Sequence, residues 1–132
     1  MKANELMLGD WVYNNVADIT FQVYPQFFSQ WHNQPEQFKA IIHPIPLTPE
    51  ILEKNGWKDI STHTLKGCDT FRLRLNQRSF DYTLTLKMRD YFRLDSYDDR
   101  VYTLCELNFG FKYVHQLQHA LRLCGIEKEI EL

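Results

Sequence analysis

Apolar and polar residues alternate along several stretches of this chain with a period of two. Ile19, Phe21 and Val23 interleave with Asp18, Thr20 and Gln22; Phe71, Leu73 and Leu75 with Arg72 and Arg74; Phe80, Tyr82, Leu84, Leu86 and Met88 with Asp81, Thr83, Thr85 and Lys87. Successive side chains of a strand point to opposite faces, so each run predicts a strand with one dry and one wet side. Residues 9–15 add a strand that leaves through Asn14-Asn15, a pair that tolerates positive φ, which makes 9–24 a predicted hairpin. Residues 38–43 predict a third strand. Turn-forming residues at 76–79 and 95–99 link 71–75, 80–89 and 101–108 into an antiparallel meander.

The period lengthens to that of a helix in two places. In 112–125, Val114, Leu117, Leu121 and Cys124 recur at helical spacing, Gly125 supplies a stop, and the stripe is suited to cover the dry face of the meander. In 49–55, Thr48 can cap, Pro49 suits the first helical position and Glu50 the positive end of the dipole. Gly56 ends the turn, and Trp57 can fold back on it. Between hairpin and third strand lies a Gln- and Asn-rich connection, 25–37, that carries Phe27, Phe28 and Trp31. It is long for a compact domain. Its rings either fold back onto the core or form an exposed surface for a partner.

A length of 132 residues is near the commonest single-domain size, and 44% hydrophobic with 24% charged is ordinary globular composition, so one core over 1–132 is expected. The expected layout is a strand region at 5–47, a short helix at 48–56, and a meander with its helix at 57–132. A net charge of −2 argues against a chain devoted to coating polyanions, but the charge is unevenly spread. No Lys or Arg occurs between Ala3 and Phe38, whereas Arg72, Arg74, Arg78, Lys87, Arg89 and Arg93 face only Asp81 and Asp90 within their stretch. Three cysteines without a C-x-x-C pair fit a reducing compartment, and neither a leader nor an apolar run of membrane length is expected, so a cytoplasmic location follows.

Candidate chemistry is sparse. His115 and His119 have the spacing of two metal-ligating imidazoles, but Gln116 stands where a zinc-protease motif has Glu, no third ligand is near, and both fall on the side predicted to face solvent. No metal site and no cofactor is therefore assigned. Cys105 and Cys124 sit on apolar positions, where a thiol serves as a small hydrophobe. There is no phosphate-cradling glycine loop. What remains is a possible anion-binding set, Arg72, Arg74, Lys87 and Arg89, which alternation places on one strand face, with Tyr82 on the other.

Three blocks, Glu5 to Val12, Pro44 to Trp57 and Tyr113 to Gln118, taken in that order, resemble a group of small proteins of gut bacteria, their prophages and mobile elements. These share an opening strand, a Pro-Ile-Pro-Leu-Thr block before a short helix ending in Gly-aromatic, and a Val-His-Gln-Leu-Gln helix. The resemblance implies a phage-related setting and brings no activity or site residue with it.

The expectation is an α+β protein: an antiparallel sheet whose N-terminal part is compatible with a partial SH3-like barrel, a short central helix and a packed C-terminal helix. The expected role is non-enzymatic, that of an accessory or adaptor of a phage or mobile element acting on an unidentified protein partner through Phe27, Phe28 and Trp31 or through the arginine-bearing face. The alternative is nucleic-acid binding through the basic sheet face. No membrane association is expected.

Overall fold

In the computed structural model, which describes residues 1–59, 70–77, 80–90, 100–104 and 112–132, the period-two stretches are strands and the ring-rich connection is helical. The architecture is α+β, as the hydropathy pattern predicts. Contacts divide the chain into two compact units, Met1–Pro46 with Tyr113–Lys128, and Leu47–Lys112 with Glu129–Leu132.

In the first unit, β1 (Trp11–Asn14) is the centre of a three-stranded antiparallel sheet, flanked by β2 (Ile19–Gln22) and β3 (Ile42–Pro44). Val12 stands opposite both Phe21 and Pro44. The hairpin turn is closed as Asn residues close turns: Asn14 Oδ1 accepts the N–H groups of Val16 and Ala17 at 2.9 and 3.0 Å, and Asp18 takes a φ of 55°. β2 and β3 are the two margins of this sheet, so the described strands form no closed SH3-like barrel.

The stretch expected to be a loop folds as α1 (Pro25–Asn33) and α2 (Pro35–Ile41). Each helix opens on a proline at its first position, where the missing N–H has no intrahelical acceptor to lose. Phe27 and Trp31, four residues apart, fall on one side of α1 and meet Phe38 of α2 at ring-centroid distances of 5.5 and 5.6 Å. Phe27 also meets Phe21 of β2 at 5.9 Å. Such pairs contribute about 0.5–1.5 kcal/mol each beyond the area they bury. Here they join both helices to the sheet. The expected strand at 38–43 is therefore corrected: Phe38 to Ile41 belong to α2, and extended backbone begins only at Ile42. With Leu6, Val12, Val23 and Ile42, the rings of Phe27 and Trp31 make the core of this unit.

The last helix, α4 (Val114–Leu123), runs within the predicted bounds and ends at Gly125, whose φ is 72°. The N–H of Ile126 reaches back to the carbonyl of Leu121 at 2.9 Å, which is the six-to-one bond of a left-handed helix stop. Val114, Leu117 and Leu121 are fully buried, as their spacing predicts. Cys124 is not on that stripe; it is exposed past the end of the helix. Helix α4 packs on β1. Its expected place over the meander rests on strand side chains outside the described residues.

In the second unit, α3 (Pro49–Lys54) forms as expected, with Thr48 Oγ1 accepting the N–H of Ile51 at 3.3 Å. Gly56 has a φ of 86°, and the N–H of Trp57 bonds the carbonyl of Leu52 at 3.0 Å, so the chain turns back and Trp57 is buried. Asn55 fastens the C-terminal segment: its Oδ1 accepts the N–H of Glu131 at 2.8 Å and its Nδ2 donates to the Glu131 carbonyl at 2.7 Å. Four antiparallel strands follow in sequence order, β4 (Lys58–Asp59), β5 (Thr70–Gln77), β6 (Phe80–Asp90) and β7 (Arg100–Leu104). The turn expected at 76–79 is corrected at its start, since Asn76 and Gln77 still belong to β5 and pair with β6; residues 78–79, the expected turn at 95–99, the strand end at 105–108, Cys68 and Cys105 lie outside the described residues.

Because Leu117 and Leu121 have no exposed surface, Leu117→Ala or Leu121→Ala should cost about 2–5 kcal/mol of stability in denaturant unfolding. A midpoint equal to that of the parent would show the stripe to be misplaced.

Candidate functional site

The densest polar cluster among the described residues is built around Asp10, which the turn at Leu8-Gly9 places just before β1. Gly9, with a φ of 81°, turns the chain there, and its N–H bonds the Val23 carbonyl at 2.8 Å. Asp10 follows and is wholly buried. An ionised carboxylate out of water is tolerated only where donors replace its hydration. Three do so. Oδ2 accepts the N–H of Met7 at 2.7 Å and Nε2 of His119 at 2.6 Å, and Oδ1 accepts Nη1 of Arg122 at 3.0 Å.

The helix contributes more than charge to this contact. Gln118, also buried, bridges the same turn: its Oε1 accepts the Trp11 N–H and its Nε2 donates to the Gly9 carbonyl, each at 3.0 Å. Arg122 Nη2 donates to the carbonyl of Leu8 at 3.2 Å. Gln118, His119 and Arg122 thus form a polar edge of α4 that is bonded, side chain by side chain, to residues 8–11. The 118/119/122 spacing brings three donors to one edge of a helix, and a lone acid after Gly9 is the buried group they serve.

This arrangement corrects the sequence expectation that His115 and His119 face solvent. His119 is about a quarter exposed and is spent on Asp10, while His115 is only 2% exposed. The His115 ring stacks on Tyr113 at 5.9 Å with planes 8° apart and meets the His119 ring edge-on at 5.8 Å. Its Nδ1 is buried and has no hydrogen-bond partner among the described residues. Burial is the main influence holding His115 below the ordinary histidine pKa; the nearby negative charges of Asp10 and Glu5 push the other way, and His119 and the N-terminal amine push with it. Among the described residues, no group of three His, Cys, Asp or Glu is disposed to hold a metal ion.

The sequence-derived partner residues are divided by the fold. Phe27 and Trp31 are buried in the core and Phe28 is half-buried beside them, so the ring-rich stretch folds back, which is the first of its two predicted readings. Phe28 and one side of Trp31 nevertheless line an open groove of about 560 Å³, whose other walls are Ala3, Asn4, Leu6, His32 and Pro35. The basic residues Arg72, Arg74, Lys87 and Arg89 lie in the second unit at β5 and β6 positions whose register gives them one shared face. No helix among the described residues is long and apolar enough to cross a membrane.

Truncating Asp10 removes the acceptor for three donors. His119 and Arg122 remain partly open to solvent, so Asp10→Ala should cost about 1–3 kcal/mol in denaturant unfolding, and an unchanged stability would contradict this role of the carboxylate. His115 generates a pH prediction. Its folded pKa is depressed, so below about pH 6.5 the unfolded chain binds a proton that the folded chain resists, and its stabilising contribution, complete above that pH, falls as the solution is acidified. The melting temperature of His115→Phe should drop less than that of the parent between pH 8 and pH 5; equal drops would remove His115 from the explanation.

No protein family, curated protein or solved structure matches this chain.

Proposed function

We propose that this protein is a non-enzymatic accessory or adaptor protein of a phage or mobile element, working in the cytoplasm by contact with another protein. The observation that carries the reading is the groove lined by Phe28, Trp31, Pro35, His32, Ala3, Asn4 and Leu6. Aromatic and proline walls supply large apolar contact area on side chains with few torsions to freeze, the composition found at the centres of protein interfaces. The floor is rigid, because Trp31 is fixed by ring contacts to Phe27 and Phe38 at 5.6 Å each. The occupant is a short segment of a partner protein anchored by an apolar side chain, since the volume suits one or two such groups. The Asp10–His119 pair, which in isolation has the elements of a proton-transfer dyad, supports the non-enzymatic part of the reading: every oxygen of that carboxylate is bonded and its role is in holding α4.

The test is affinity capture with three baits, the parent, Phe28→Glu, and Val16→Glu as a control at the far hairpin turn, where Val16 is 77% exposed. A companion protein retained by parent and control and lost by at least tenfold with Phe28→Glu is the expected result, with matching thermal melts showing that all three are folded. Equal recovery on all three baits, or a companion lost only with the Val16 variant, would overturn the groove as the contact site.

A further inference from the structure

The strand register of the second unit arranges its basic residues in a line. Trp57 is buried and Lys58, the next residue, is exposed, which fixes the wet and dry sides of β4 at its first position. Lys58 stands opposite Arg72 of β5, and Arg72 opposite Thr85 of β6, so all three positions belong to the wet face. Counting by twos along the register, Arg74 is opposite Thr83, Arg72 opposite Lys58 and Thr85, Lys87 opposite Thr70 and Thr103, and Arg89 opposite Val101. The alternate positions carry Phe71, Leu73, Leu75, Phe80, Tyr82, Leu84, Leu86, Met88, Tyr102 and Leu104, with Asp59, Gln77, Asp90 and Arg100 at the strand ends, so that face is mainly apolar in sequence.

Four successive levels of the wet face, about 6.8 Å apart, therefore each bear at least one cation, giving a track about 20 Å long. The acid on these described positions is Asp81, opposite Asn76, one level beyond Arg74 at the end of the track. Lys58 and Arg72 are directly opposed like charges, a cross-strand pairing that destabilises a sheet unless an anion lies over it. Threonine stands beside the cations at Thr70, Thr83, Thr85 and Thr103, and arginine with threonine is the combination that hydrogen-bonds phosphate oxygens. The aromatic residues of these strands, Phe71, Phe80, Tyr82 and Tyr102, all occupy the opposite face, so no ring is placed to stack on bases.

We propose that the Lys58/Arg72/Arg74/Lys87/Arg89 face binds the phosphate backbone of a single nucleic-acid strand without reading its sequence. A single line of cations matches one polyanionic chain, whereas a duplex presents two. This site is independent of the groove of the first unit.

Fluorescence anisotropy with a labelled thymidine oligonucleotide of about 20 nucleotides tests the proposal. Neutralising about four phosphates predicts that affinity falls roughly 50-fold between about 50 and 200 mM salt. Arg72→Glu with Lys87→Glu should abolish binding. The milder Arg72→Gln with Lys87→Gln should weaken it at least tenfold and reduce the magnitude of the log–log salt slope by about 1.4, with an unchanged melt confirming the fold. Lys2→Glu should leave affinity as it is. No binding at low salt, equal binding by parent and both double variants, preference for a duplex of the same length, or preference for an acidic peptide would each overturn the proposal.

Discussion

The burial of one carboxylate organises the first unit. Asp10 has no contact with water, and its ionised form is compatible with the interior only because the Met7 amide, His119 and Arg122 converge on it. Two of those three donors come from a helix more than a hundred residues later in the chain. The penalty of an unpaired buried charge thereby becomes a constraint on topology: β1 cannot keep its first turn unless α4 is docked on it. Gln118 adds to that constraint by bonding the Gly9 carbonyl and the Trp11 amide at the entry to β1. A wholly apolar contact would supply similar free energy, but it would not define the position of α4 along β1 so narrowly.

The aromatic cluster plays a complementary part. Phe21, Phe27, Trp31 and Phe38 come from β2, α1 and α2, and their ring contacts join the hairpin to the helical insertion. The two interactions divide the work, with non-directional burial supplying most of the stabilisation and directional polar bonds setting register and orientation. The candidate groove is a consequence of this packing. Phe28 follows Phe27 in sequence and points to the rim because its neighbour is committed to the core.

Residue patterns made some of this legible in advance. The hairpin, the capped helix at Pro49 and the buried series Val114, Leu117 and Leu121 follow from alternation, cap chemistry and helical spacing, each a local signal. The helices at 25–41 were not, because the middling helix propensity of Asn, Ser and aromatic residues masks the better one of Gln, and the stretch looks like a loop by composition. The available signal was positional: prolines ten residues apart, each opening a helix, with Phe27 and Trp31 four apart between them. The polar cluster was hidden for a different reason. His115, Gln118, His119 and Arg122 occupy the side of α4 that hydropathy assigns to water; His115 and Gln118 are buried there, and His119 and Arg122 are drawn to the distant Asp10. Long-range polar complementarity leaves no periodic trace in a sequence. The basic face of the second unit was legible as alternation, but its linear arrangement required the strand register.

The account depends on Asp10 and α4 acting as one cooperative contact, and a double-mutant cycle between Asp10→Ala and Arg122→Met measures that coupling directly. The expected coupling energy from denaturant unfolding of the parent, both single variants and the double variant is about 1–3 kcal/mol, with the double variant less destabilised than the sum of the singles. Additivity of the two substitutions to within about 0.5 kcal/mol would mean that the guanidinium and the carboxylate contribute independently, and that the helix is held in place by something other than this buried charge.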